Sequence, residues 1–326
     1  MRNKIIKYLI LLIINLFIIF LVIEIGLRIY SGFIMMYDIE MYKYAKKLKR
    51  KSNVPGLVHE HIPNSEAELM GVNFKINSLG FRDEELPAEK GKNEYRIFVL
   101  GCSNTVGWGV PFDSVFTMLL ENKLNSANQE KWFNVINAGI GNYNTTLETI
   151  LFKERLPAVL PDKVILHYYI NDVEIVTPKN TGFIVENSYL AAYLKNKSKY
   201  DRFKDQYTTI GEYYKDQYQD TSRGWKEAQN AMLEINRLCG ASNIELMVLL
   251  QPDLHDLSID SEQEGCYKKV RQFLEEQNIE FLDLVVAYRD RFENNPKKLW
   301  INNDDAHPNC VGHRIIFEEL YDHARH

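Results

Sequence analysis

The sequence predicts an α/β protein, a parallel sheet covered by helices on both faces, preceded by an N-terminal transmembrane helix. Two observations carry this. Short apolar runs such as YRIFVL and DKVILHYY alternate with longer segments of helical period, the pattern of strands buried on both faces and joined by crossover helices. Ahead of them, residues 8–23 read YLILLIINLFIIFLVI, with Asn15 the one strongly polar member.

That first run, extended by Ile5, Ile6, Ile25 and Leu27, reaches the roughly 20 residues needed to cross the hydrocarbon, with Lys7 and Glu24 placed to snorkel. No small-x-small cleavage site follows, so residues 1–30 are expected to be an uncleaved signal anchor rather than a signal peptide. Arg2, Lys4 and Lys7 precede the span, and Arg28 is the one base in the dozen residues after it. By the positive-inside rule the N-terminus is cytoplasmic and the rest of the chain lies outside. Residues 31–90, polar and turn-rich with Pro55 and Pro63, are expected to be a stalk and lead-in, and the basic cluster KKLKRK at 46–51 a solvated charge run.

Residues 91–326 hold the expected domain. Strands are predicted at 95–100, 133–137, 162–169, 244–250 and 279–284. Helices are predicted at 114–125 capped by Asp113, at about 145–159, at 224–240 ended by Gly240, and around 262–277. A tyrosine-rich insert around 172–222 is expected to be helical in part, as a lid or as surface packing.

A formal net charge of -5 and a pI near 6.0, with no recognisable reading module, argue against nucleic acid as a partner. The four cysteines, Cys102, Cys239, Cys266 and Cys310, form no CxxC pair and are too few for a disulfide scaffold. No cofactor is expected.

The chemistry is concentrated at four places. VLGCSNTVGWGV sets Ser103 between Gly101 and Gly107 just after the first strand, where a sharp turn exposes a side chain. It lacks the GK[ST] of a phosphate loop and the spacing of GxGxxG. NAGIGNYNT follows the second strand, where glycines let backbone amides point into the site, and YYIND follows the third and offers the Asn171 side-chain amide. The late segment DDAHPN holds Asp304 and His307. A serine hydroxyl needs a base to take its proton, and a histidine base needs a group that fixes its tautomer. Ser103, His307 and Asp304 supply those three roles; Asp305 is the alternative partner of His307, but the spacing of three favours Asp304. Asp304, His307, Cys310 and His313 also fall at intervals of three, as in a metal site. Pro308 keeps His307 in a loop while Gly312–Arg314 starts a helix, so these four need not converge, and His313 is expected to pack or hydrogen-bond.

With these blocks in this order, residues 75–325 resemble the SGNH (GDSL-like) hydrolase superfamily. The resemblance implies a flavodoxin-like three-layer α/β/α sandwich, with Ser103 as nucleophile, Asn171 in the oxyanion hole, and Asp304 and His307 as acid and base. NSLGFRDEE before the serine block and GWGVPFDS after it look like the membrane-anchored bacterial branch. Two positions depart from the family pattern: Cys102 stands where GDS has aspartate, and Asn142 where a glycine is usual. Asparagine tolerates positive φ better than other residues bearing a Cβ, so a backbone amide there can still serve, and the resemblance makes both Asn142 and the preceding Gly141 candidate oxyanion donors. The implied activity is that of a membrane-anchored serine esterase on a cell-envelope glycan or lipid ester. An O-acyltransferase acting on a glycan hydroxyl and a non-catalytic glycan-binding or assembly protein are the alternatives.

Overall fold

The computed structural model describes residues 2–178 and 182–324. The expected insert at 172–222 includes residues 179–181, which lie outside them. The chain forms two compact units, Met1–Lys46 with Lys179–Gln206, and Lys47–Pro178 with Tyr207–His326.

The larger unit is built on five parallel strands: β1 (Glu94–Gly101), β2 (Trp132–Gly139), β3 (Lys163–Tyr169), β4 (Glu245–Gln251) and β5 (Phe281–Asp283). Their order is β2-β1-β3-β4-β5, the flavodoxin-like order. Successive strand residues point to opposite faces, and each face has its own core. Phe98, Leu100, Ile136, Leu166 and Leu250 pack with helices α5 (Thr145–Val159), α8 (Arg223–Ala241) and α9 (Glu264–Glu276). Ile97, Val99, Val135, Ile165 and Leu249 pack with α4 (Phe116–Ala127), α10 (Leu284–Phe292) and α11 (Cys310–His323). The result is the three-layer α/β/α sandwich. Because β1 has β2 on one side and β3 on the other, the strand order reverses at it, and the carboxyl end of β1 is the topological switch point of the sheet. Ser103 follows β1 there, on the short helix α3 (Ser103–Val106).

Several local expectations change. Asp113 sits in a 3-10 turn, and α4 starts after Val115 with no side-chain cap, because residues 112–114 already close a tighter turn. Gly240 lies inside α8, which ends one residue later; the positive φ needed to turn out is taken by Asn243 at 53°. The stretch expected as a stalk is largely part of the domain. From Lys47 onward it forms two antiparallel hairpins, 49–51 with 59–61 and 66–69 with 72–75, and buries Leu57, Phe74, Ile76, Phe81 and Arg82.

The smaller unit contains α1 (Arg2–Phe33), α2 (Tyr37–Leu48, its last two residues in the larger unit) and α6 (Tyr189–Gln206). Lys4–Phe33 is long and apolar enough to cross a membrane. Glu24 is buried within this unit. Its carboxylate accepts hydrogen bonds from Ser188 Oγ, Tyr189 N and Leu190 N at 2.8, 3.0 and 2.9 Å, satisfying amides at the start of α6. Residues 188–206 of the insert therefore pack on the N-terminal helix, while residues 172–178 and α7 (Ile210–Gln217) belong to the larger unit.

Candidate active site

The turn after β1 is held by close backbone approach. A Cβ on Gly101 would lie 1.9 Å from Thr105 Oγ1, and one on Gly139 would lie 2.3 Å from Val106 N, so only glycines let the ends of β1 and β2 touch α3. The GFRD segment braces the same turn: Arg82, buried, donates to the carbonyls of Val106, Gly107 and Val110 at 2.9, 2.7 and 2.8 Å, and Asp83 accepts from Asn137 N at 2.7 Å. These braces went unrecognised in the sequence, although the motif that carries them did not.

Ser103 Oγ lies 2.8 Å from His307 Nε2. The histidine's other nitrogen, Nδ1, lies 2.5 Å from Asp305 Oδ1, which also accepts from His307 N at 3.1 Å. Asp304 does not take the expected place. It is exposed in the turn of a hairpin formed by residues 300–302 and 305–308, where its amide donates to Asn302 Oδ1. The reason is the two-residue period of an extended chain, which puts positions 305 and 307 on one side. Asp305 is buried, and its second oxygen accepts from Trp108 Nε1 at 2.9 Å, so the serine block also orients the acid. Burial pushes this carboxyl up, but the bonds from His307 and Trp108 outweigh it and hold the group below its ordinary range.

Of the expected oxyanion donors, Asn171 lies in a 3-10 turn directly after β3. Among the described residues its buried Oδ1 has no hydrogen-bond partner and its amide nitrogen has no acceptor. Gly141 and Asn142 are the middle of a turn closed by Tyr143 N donating to Ile140 O at 3.1 Å. Asn142 takes φ 66°, is exposed, and its N–H makes no hydrogen bond among the described residues. The members of the metal-like series do not converge: Asp304 and Cys310 are exposed, while His313 is buried, stacked on Phe116, and accepts from Phe116 N.

Cys102 is buried, and burial together with the charges of Asp172 and Glu148 pushes its thiol up, so it stays protonated beside Ser103. Those two carboxyls are themselves buried. Asp172 accepts from Thr145 Oγ1 and Tyr169 N, whereas both oxygens of Glu148 lack hydrogen-bond partners among the described residues. Burial raises Glu148 well above its ordinary range and Asp172 to about 8. A folded-state value above the unfolded one stabilises the protein below the unfolded pKa near 4, and that contribution is lost as pH rises through the folded value. The melting midpoint of the detergent-solubilised full chain is therefore expected to fall from pH 5 to pH 9. Glu148→Gln should flatten that fall; an unchanged slope would mean the pair is charged at rest.

A second Asp-x-His turn lies just after β4. Asp253 Oδ1 accepts from His255 N at 3.0 Å and lies 2.6 Å from His255 Nδ1, repeating the geometry at Asp305 and His307. Among the described residues no serine hydroxyl meets His255, so the local pattern alone does not make a site.

Fold and site together define an α/β protein that presents a serine, histidine and aspartate in hydrogen-bonded series at the carboxyl end of its sheet. No family model and no curated protein matches the chain. Solved structures do. A psychrotrophic esterase EstA from a Pseudoalteromonas species is 14% identical, with a TM-score of 0.45 over 71% of this chain and 96% of its own. A putative lipolytic protein of the G-D-S-L family from Desulfitobacterium hafniense is 12% identical, with a TM-score of 0.41 over 70% and 98%. An α/β hydrolase from the metagenome of Lake Arreo is 14% identical, with a TM-score of 0.47 over 72% and 96%. At these identities and scores a shared chain path says nothing of activity, which rests on the residues themselves.

Proposed function

We propose that the chain is a membrane-anchored serine ester hydrolase of SGNH type. The observation that carries this is the 2.8 Å approach of Ser103 Oγ to His307 Nε2, with Nδ1 of the same ring on Asp305. In this reading Asp305 accepts from Nδ1–H, so Nε2 is the unprotonated nitrogen that takes the Ser103 proton as Oγ attacks the ester carbonyl. The oxyanion is held by the Ser103 amide, the Asn142 amide and the Asn171 side chain. His307 then returns the proton to the leaving alcohol, and water resolves the acyl-enzyme. Between Gly141 and Asn142, we favour Asn142 because it is exposed whereas Gly141 is buried. The ester is proposed to belong to a cell-envelope glycan or lipid.

The apolar helix Lys4–Phe33 is proposed as a retained anchor with the larger unit outside the cytoplasm. Retention is favoured because Glu24, on that helix, caps α6; cleavage after the span would leave those amides without their acceptor.

The test is labelling of the full chain by a fluorophosphonate probe. Wild type should be labelled at Ser103, His307→Gln should lose labelling, and His255→Gln should keep it. A correctly folded wild type that is not labelled would sink the esterase reading in favour of a binding protein.

A further inference from the structure

We propose that Lys49 and His59 are positioning residues that hold the peptide between Gly141 and Asn142 in the orientation an oxyanion requires. This rests on the reading of Asn142 N–H as an oxyanion donor. Lys49 Nζ donates to Gly141 O at 2.5 Å, and His59 Nε2 lies 3.1 Å from the same oxygen. Burial pushes the His59 imidazole down to about 3, so it is neutral and meets the carbonyl as an Nε2–H donor. In a trans peptide the carbonyl and the following N–H point in opposite directions, so anchoring Gly141 O fixes the direction of Asn142 N–H.

The anchor has something to oppose. The turn from Ile140 to Tyr143 has positive φ at Asn142 but not at Gly141, which makes it a type II turn. Types I and II differ by a flip of the central peptide, and a residue with a Cβ at the third position favours type I. Asparagine accepts the positive φ of the third position less freely than glycine, so the flipped peptide gains from any donor that holds its carbonyl. Two donors on the carbonyl stabilise the flipped form and polarise the peptide, which strengthens its N–H; burial pushes the Lys49 amine down to about 7, and it donates to the carbonyl whether charged or neutral. The hairpin supplying both residues is itself fastened to the turn, since Tyr143 OH donates to His59 O at 2.5 Å and the two rings meet edge to face. Lys49 thus has a specific contact within a cluster that, by composition, is a solvated charge run.

The test uses the full chain in detergent with Lys49→Met and His59→Phe, the latter keeping an aromatic ring against Tyr143. On a short-chain aryl ester each is expected to lower kcat roughly 10- to 100-fold with KM nearly unchanged, somewhat less than losing an oxyanion donor outright. An alkyl boronic acid, which forms a tetrahedral adduct on the serine, should bind weaker in proportion to kcat, and Lys49→Arg should restore most of both. If Ser103→Ala is inactive but both variants keep wild-type kcat, the positioning role is wrong and the site stands. Lower kcat in step with lower melting midpoints, without a selective loss of boronate affinity, would overturn it as well. Activity in Ser103→Ala would instead remove the reading beneath it.

Discussion

Replacing Ser103 with alanine is expected to lower kcat on a short-chain aryl ester by roughly 10⁴- to 10⁶-fold, the range seen when a nucleophile of this kind is removed. Without Oγ no acyl-enzyme forms, and what remains is water attacking a carbonyl that the oxyanion donors polarise. His307→Ala should cost about as much, and the double variant little more than either single one, because both side chains act on the same bond-making step. Fold stability should barely change, since Ser103 is only part-buried and its hydroxyl bonds to a part-exposed ring. Steady-state rates with purified single and double variants decide it. Multiplicative losses would mean that the two residues act separately, and wild-type rates in Ser103→Ala would end the esterase assignment.

The neighbouring aspartates are expected to part sharply. Asp305→Asn should lower kcat by on the order of 10⁴-fold, because an amide facing Nδ1 favours the tautomer with the proton on Nε2, which cannot accept from serine. Asp304→Asn should change kcat less than about threefold, its side chain being exposed at a hairpin turn, where substitutions rarely exceed ~0.5 kcal/mol. Parallel kcat measurements on the two variants provide the check. A large loss at 304 with little at 305 would restore the assignment based on spacing.

The contrast marks where sequence reasoning gives out. The alternation of strands and helices was legible from β1 to β5 because burial on both faces demands continuous apolar runs, and α5 was legible at both ends. The placement of Ser103 and Asn171 directly after strands and the approach of His307 to Ser103 were legible because each follows a strand or lies in a late segment and carries chemistry a bland turn does not need. Asp304 was preferred by treating DDAHPN as a loop; its extended backbone, imposed by pairing with residues 300–302, puts Asp305 on the side of His307 instead. The roles of Arg82, Trp108, Lys49 and His59 were illegible for a related reason. Each acts on a partner at least 24 residues away, and no local period records such a contact.

The sequence by itself determined the layered α/β class, a helix able to span a membrane, and the residue types of the site, because burial pattern and side-chain chemistry are local properties. The tertiary structure decided which aspartate meets the histidine, that residues 49–90 join the domain, and that Asn142 rather than Gly141 is exposed at its turn. Those depend on pairing and packing between distant segments, where one step of register changes the side chain that arrives.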